Sequence, residues 1–147
     1  MKFLQIRLAD DFIYADEIAE IERKYFPADE AFDRELILDD IMKDRYYIVE
    51  SEDGMMGYFS VEKRKEILYI ANILIIKKYR GKKYSKFILN HIEFIAKLNN
   101  IKIIGLHVFS KNIVAINLYM QSGYKTAMER IKPFYEDKES YYYEKIL

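Results

Sequence analysis

Apolar and polar residues alternate from Phe3 to Leu8, the period of a half-buried strand. The period then changes: Tyr14, Ile18, Ile21 and Tyr25 recur at spacings of four, three and four, which lays them on one helical face. Asp10 or Asp11 is placed to cap that helix and Pro27 to end it. A second, shorter helix is predicted over residues 33–43, with Asp33 as its cap and Leu36, Ile37, Asp40 and Ile41 as its stripe. Tyr46 to Glu50 reads as a strand, Glu52-Asp53-Gly54 as a turn, and Met56 to Val61 as the hairpin partner. After a charged tip at Glu62 to Glu66, the run from Ile67 to Ile76 is nearly all apolar, which predicts a central strand buried on both faces. Asn72 interrupts it, and a buried amide needs partners, either neighbouring backbone at a bulge or a ligand.

In the second half, Ile88, Ile92, Ile95 and Ala96 form the apolar face of a helix stopped by Asn99-Asn100. Ile103 to Phe109 is another buried strand. Asn112 to Ser122 reads as a compact helix, with Asn112 in the cap region and Gly123 where a left-handed C-terminal residue is wanted. Two strands, Tyr124 to Lys132 and Tyr141 to Ile146, close the chain around a connection over residues 133–140. The resulting order, βααβββαβαββ, is an α/β arrangement: a mixed sheet of about seven strands with helices on both faces. No repeat, low-complexity tract or linker divides it, so one domain over residues 1–147 is expected.

Composition narrows the chemistry. Lys plus Arg equals Asp plus Glu at 24 each, so no global field recommends nucleic acid as a partner. The charge is uneven, however. Six basic residues lie between Lys77 and Lys86, while Asp29, Glu30, Asp33, Glu35, Asp39 and Asp40 crowd the segment after the first helix. The absence of cysteine excludes thiolate metal sites and a cysteine acyl-enzyme, and two histidines, His91 and His107, are few for a zinc site. No basic leader pattern and no apolar run of roughly 18 residues is present, so a cytoplasmic protein without a membrane partner is expected. His91 reads as a surface residue.

The most telling stretch is Asn72 to Lys86, where a core strand ends in cations around Gly81 and a helix begins at once. Backbone N–H groups of a tight turn entering a helix lack intrahelical partners, and the helix dipole adds positive charge there, so a phosphate group is the natural occupant. Neither a Gly-x-x-x-x-Gly-Lys-Ser/Thr loop nor a Gly-x-Gly-x-x-Gly fingerprint is present.

The stretch resembles motif A of the GNAT superfamily of N-acetyltransferases, Arg/Gln-x-x-Gly-x-Gly/Ala, with Arg80 first, Ser85 at the small final position, and Lys83 where the family has its middle glycine. A lysine tolerates positive φ poorly. A second stretch is similar to motif B of the same superfamily, Asn-x-x-Ala-x-x-x-Tyr-x-x-x-Gly-Phe/Tyr, filled by Asn112, Ala115, Tyr119, Gly123 and Tyr124. With the element order, the likeness spans essentially the whole chain. It is nearest in character to ribosomal-protein alanine and protein N-terminal acetyltransferases, whose Tyr-Tyr-x-x-Gly-Glu-Asp-Ala tail the segment from Phe134 to Tyr141 loosely resembles, with Lys138 in place of the glycine.

The resemblance implies a mostly antiparallel GNAT-type sheet flanked by four helices and acetyl-CoA as cosubstrate, with no metal. It implies that backbone at Ile73, Leu74 and Ile75 pairs with the pantetheine arm, and that amides from Arg80 through Gly81, Lys82, Lys83 and Tyr84 to Ser85 take the pyrophosphate. Tyr119 would protonate the departing thiolate. Asn112 either contacts the CoA arm or only caps its helix. His107 stands where the ribosomal-protein alanine enzymes carry a glutamate base, so it is either the proton acceptor or a hydrogen-bonded core histidine. The expected activity is acetyl transfer to a primary amine by direct attack in a ternary complex, by a monomer or homodimer. The acceptor is a protein or peptide amine or, if the acidic segment is more than a solvated flank, a small cationic one. The alternative is a non-catalytic acetyl-CoA-binding module.

Overall fold

The computed structural model describes residues 4–81, 83–133 and 139–147; Phe3, Lys82 and the 134–138 part of the tail lie outside them. The strands are β1 (Leu4–Leu8), β2 (Tyr46–Ser51), β3 (Gly54–Arg64), β4 (Ile67–Ile75), β5 (Ile103–Phe109), β6 (Lys125–Thr126) and β7 (Ser140–Ile146). The helices are α1 (Ile13–Tyr25), α2 (Arg34–Met42), α3 (Tyr84–Leu98) and α4 (Ile113–Gln121). Their sequence is βααβββαβαββ, as the periodicities predict. Strand order in the sheet is β1-β2-β3-β4-β5-β7-β6. Only β4 and β5 among the assigned pairs run parallel; β1 with β2, β2 with β3, β5 with β7 and β6 with β7 are antiparallel. The chain forms two compact units, Met1–Ser60 with Asn72–Ile76, and Val61–Ala71 with Lys77–Leu147.

In the first unit the core gathers Ala15, Ile18 and Ala19 of α1, Ile37 and Ile41 of α2, and Tyr46, Ile48, Tyr58 and Leu74 of the strands. The buried face of α1 is rotated from the predicted one. Ala15, Ile18, Ala19 and Glu22 face inward, while Tyr14, Ile21 and Tyr25 are half-buried along the flank. Alanines let the helix approach closely, and the larger side chains pack around that contact. The N-cap is Phe12, not an aspartate; Asp11 only accepts from the Ile13 N–H at 3.1 Å. At α2 the predicted cap is present, with Asp33 accepting from the Leu36 N–H at 2.8 Å.

The Asn72 amide finds its partners in side chains far along the chain, not in bulge backbone. Its Nδ2 donates to Glu22 Oε2 at 3.3 Å and to the Tyr46 hydroxyl at 3.2 Å. Glu22, fully buried, also accepts from the Phe32 N–H at 3.1 Å and from the Tyr58 hydroxyl. Burial pushes its carboxyl above the usual range, and the hydrogen bonds from Tyr58, Phe32 and Asn72 oppose that rise. Beside this network Ile73 and Ile75 are half-buried and Leu74 buried, so the end of β4 alternates instead of being covered on both faces. Continuous burial is confined to Ile67–Ile70, where the strand begins in a parallel ladder.

In the second unit α3 buries the predicted face, Ile88, Ile92, Ile95 and Ala96, together with Leu89. It ends at Asn99-Asn100 in a Schellman turn: Asn100 takes φ 57°, its N–H donates to Lys97 O, and the Ile101 N–H donates to Ala96 O at 2.8 Å. His91 is half-buried against Phe94, only partly at the surface, and burial lowers its pKa. The predicted strand from Tyr124 to Lys132 shrinks to the two residues of β6. One more backbone bond, Ala127 N–H to Tyr142 O at 3.2 Å, extends the pairing. Beyond it, side-chain bonds replace the ladder: Arg130 reaches Glu66 at 3.0 Å and Glu144 at 3.1 Å.

Candidate functional site

The basic turn leaves β4 as a single 3-10 turn, Lys77–Tyr79, whose Tyr79 is buried edge-on against Tyr84 with ring centroids 6.3 Å apart. Gly81 follows at φ 77°, and Lys83, the N-cap of α3, is left-handed at φ 65° and ψ 13°. Lys83 therefore holds a left-handed conformation that glycine would adopt without strain. The first capping-end bond is Phe87 N–H to Lys83 O at 3.3 Å, so the amides of Lys83, Tyr84, Ser85 and Lys86 have no intrahelical acceptor. Left-handed residues at such a junction turn successive N–H groups to one side, an arrangement suited to a phosphate. Arg80 and Ser85 lie at either end of this turn, and Lys82 is outside the described residues.

A left-handed lysine costs about 1 kcal/mol relative to glycine, part of which a glycine would return as unfolded-state entropy. Lys83→Gly is therefore expected to leave stability unchanged or raise it by up to about 1 kcal/mol in urea denaturation, with CoA affinity retained. A marked loss of CoA affinity in calorimetry would assign the Lys83 side chain itself to the ligand.

The Tyr-x-x-x-Gly-Tyr spacing of the second motif acquires a structural meaning. Gly123, at φ 94°, donates to Met120 O at 3.2 Å, and the Tyr124 N–H donates to Tyr119 O at 2.9 Å. These are the two bonds of a Schellman turn, and its usual apolar contact is made by the rings of Tyr119 and Tyr124, edge-on at 5.6 Å. The turn thus fixes where Tyr119 stands. That residue is 4% exposed, and burial raises the pKa of its phenol, keeping it protonated.

Asn112 caps α4, its Oδ1 accepting from the Ala115 N–H at 3.2 Å. Asn112→Ala should cost about 1 kcal/mol of stability, whereas Asn112→Asp keeps a capping oxygen and should cost much less. If the aspartate variant also binds acetyl-CoA normally in calorimetry, the cap is the residue's whole duty; a weakened Kd would assign its amide N–H to the CoA arm.

His107 sits in β5, two residues beyond the last rung of the parallel ladder, which pairs Ile67 with Ile103, Leu68 with Ile104 and Tyr69 with Gly105. The Tyr69 hydroxyl is 2.7 Å from His107 Nδ1. Tyr142 lies on another side, its ring 5.1 Å from the imidazole. Gly105 makes room for it, since a Cβ there would overlap the Tyr142 hydroxyl and come within 2.9 Å of two ring carbons. The Arg64 guanidinium stands 4.7 Å over the Tyr69 ring. The His107 side chain is only 2% exposed, and burial pulls its pKa below the ordinary histidine value; Glu129 pulls the other way and Arg64 adds to the fall. Glu129 Oε1 is 3.2 Å from Nε2, yet no hydrogen bond to Nε2 is formed: the approach is close but misaligned, an electrostatic contact.

His107 is thus gathered with Tyr69, Tyr142 and Glu129, and Tyr119 with Tyr124. Ile73, Leu74 and Ile75 belong to the first unit. The sequence alone does not single out Tyr69, because a phenol inside an apolar run looks like core. A glycine within a strand, Gly105, does signal a close neighbour, and that neighbour is Tyr142. Among the described residues no three His, Asp or Glu side chains converge as metal ligands, and no helix is long and apolar enough to cross a membrane.

Comparison with known proteins bears on this arrangement. The acetyltransferase (GNAT) family model matches residues 15–124. PaiA N-acetyltransferase from Thermoplasma acidophilum, solved with coenzyme A, superposes with a TM-score of 0.78 at 18% identity, covering 99% of each chain. Naa50 of Arabidopsis thaliana, solved with the bisubstrate analogue CoA-Ac-MVNAL, gives 0.77 at 20% identity, covering 98% of this chain and 99% of that one. The ribosomal-protein-S18-alanine N-acetyltransferase of Escherichia coli gives 0.74 at 16%, covering 99% and 94%. No curated protein sequence matches.

Proposed function

This chain belongs to the acetyltransferase (GNAT) family, and on that premise we propose that it carries acetyl from acetyl-CoA to a primary amine by direct attack in a ternary complex. Residues 1–147 act as one N-acetyltransferase domain. The observation that carries the donor half is the left-handed pair Gly81 and Lys83 at the mouth of α3, which leaves four amides beside a run of cations. They hold the pyrophosphate. Backbone at Ile73, Leu74 and Ile75 pairs with the pantetheine arm, as in the family.

The chemistry follows from proton accounting. An alkylammonium must lose one proton before its nitrogen can attack the thioester carbonyl, and the nitrogen loses a second as the C–S bond breaks. His107 takes a proton through the Tyr69 hydroxyl, 2.7 Å from its Nδ1. Its lowered pKa keeps it neutral and receptive at neutral pH. Tyr119 gives its proton to the leaving thiolate and recovers one afterwards, so the products are an N-acetyl amine, free CoA thiol and one proton released to solvent.

A peptide N-terminus is the first acceptor to try, in keeping with the peptide-bearing analogue bound by Naa50. In the acidic segment from Asp29 to Asp40, Asp33 is a helix cap and Asp39 and Asp40 pair with Lys43 and Arg45, so a small cationic amine is the second acceptor to try. The test is a thiol-release assay over peptide N-termini, lysine peptides, polyamines and aminoglycosides, alongside calorimetry with CoA. Transfer to at least one amine without an acetylated enzyme in the mass spectrum is the expected result. CoA binding with no transfer to any amine would favour the non-catalytic module, and an absence of CoA binding would overturn the reading entirely.

A further inference from the structure

The chain leaves the sheet after β6, and the segment that follows is held from both sides. The Ala127 N–H donates to Tyr142 O, Arg130 is bonded to Glu66 and Glu144, its carbonyl accepts from Lys65 Nζ at 3.4 Å, and Ile131 is buried. Glu129 lies between these anchors. Its side chain is 51% exposed, yet it places Oε1 3.2 Å from the one buried imidazole nitrogen that lacks a hydrogen-bond partner, His107 Nε2. The other nitrogen, Nδ1, is engaged by Tyr69.

We propose that Glu129 is a positioning residue for His107: its carboxylate favours the tautomer carrying hydrogen on Nε2, leaves the Nδ1 lone pair facing the Tyr69 hydroxyl, and steadies the imidazolium formed when Nδ1 gains a proton. This rests on the reading of His107 as proton acceptor. One proton enters at Nδ1 as Tyr69 passes on that of the amine, and the imidazolium later returns one proton to solvent, which the exposed carboxylate borders. A slight tightening of the Glu129 contact completes the hydrogen bond once the ring is charged, because an ionised pair bonds more strongly than a neutral one. The logic is that of a carboxylate orienting a catalytic imidazole, here built on an irregular segment beside the sheet. The groups facing the imidazole are Tyr69 from β4, Arg64 from β3, Tyr142 from β7 and Glu129. Of these, Arg64 opposes the charged ring and Glu129 supports it.

Glu129→Gln is the direct test, and half exposure lets it fold. By NMR of the imidazole nitrogens, with His91→Gln removing the only other histidine, the variant should titrate His107 at lower pH and shift its tautomers toward hydrogen on Nδ1. In steady-state assays kcat should fall about tenfold with KM nearly unchanged, and the acid limb of the pH profile should move to lower pH. In a His107→Gln background the same substitution should change kcat by less than about twofold, the coupling expected of residues acting as a unit. An unchanged titration and tautomer balance would overturn the proposal whether or not an acceptor amine has been found. So would additive losses in the double variant. If His107→Gln itself kept full activity, the underlying assignment of the base would fail instead, and the NMR titration would still decide independently whether Glu129 orients the ring.

Discussion

Tyr119→Phe is expected to lower kcat for acetyl transfer by about 100-fold or more, while KM for acetyl-CoA and thermal stability stay near those of the wild type. The ring that packs edge-on against Tyr124 is retained in the variant. Among the described residues the hydroxyl makes no hydrogen bond, so its loss strands no partner. On the proposed mechanism, what is lost is the proton for the thiolate. Because burial raises the phenol's pKa above its ordinary value, it stays protonated through the neutral range and contributes no basic limb to the pH profile. On the proposed mechanism the acid limb belongs to His107, whose base form is lost as pH falls; since burial lowers its pKa, kcat/KM should hold to lower pH than an exposed histidine would permit. Steady-state kinetics across pH checks both statements. A phenylalanine variant within about threefold of wild type would mean that the thiolate finds its proton elsewhere.

Gly57→Ala is expected to destabilise the protein by about 3 kcal/mol, near the upper end for overpacking. A Cβ on Gly57 would overlap the Leu74 carbonyl oxygen and stand 3.2 Å from Ile75 Cα and 3.3 Å from Leu74 C. All three are backbone atoms. No side chain can rotate away, so β3 or β4 must shift, straining the nearby Ile76 N–H to Met56 O bond of 2.9 Å. The carbonyl concerned belongs to the stretch proposed to carry the pantetheine arm, so KM for acetyl-CoA should rise as well. Gly54 provides the control: it also lies in β3, takes φ 109°, and a Cβ there meets nothing within 4 Å, leaving only backbone strain. Urea denaturation of the two variants should separate steric from conformational cost. A loss under about 1 kcal/mol at Gly57 would show that the approach of β4 is easily relaxed.

Much of this architecture could be read directly because its determinants are local. The inward face of α3 follows from one helical period, the cap of α2 from Asp33, and the end of α4 from a glycine at the correct distance from Tyr119. Features set by non-adjacent chain were harder to see. Alanines take the inward face of α1, so weighting by bulk pointed to its flank. Asn72 finds its partners 50 and 26 residues away, in Glu22 and Tyr46. Side-chain bonds from Arg130 displace a strand that hydrophobic pattern alone would have continued, and Tyr69 gains its chemical interest only when β4 and β5 are in register.

The proposed acid is also the most buried residue of its helix. Tyr119 is the one buried residue of α4; Ala115, Ile116 and Leu118 are half-buried, and Ile113, Val114 and Met120 face outward. Two selective pressures therefore act on different atoms of one side chain: the six-membered ring on folding, the oxygen on turnover. A descendant that abandoned acetylation would still be penalised for discarding the aromatic ring but not for losing the oxygen. Drift from tyrosine to phenylalanine at this position is thus the change by which retired enzymes of this design should be recognisable.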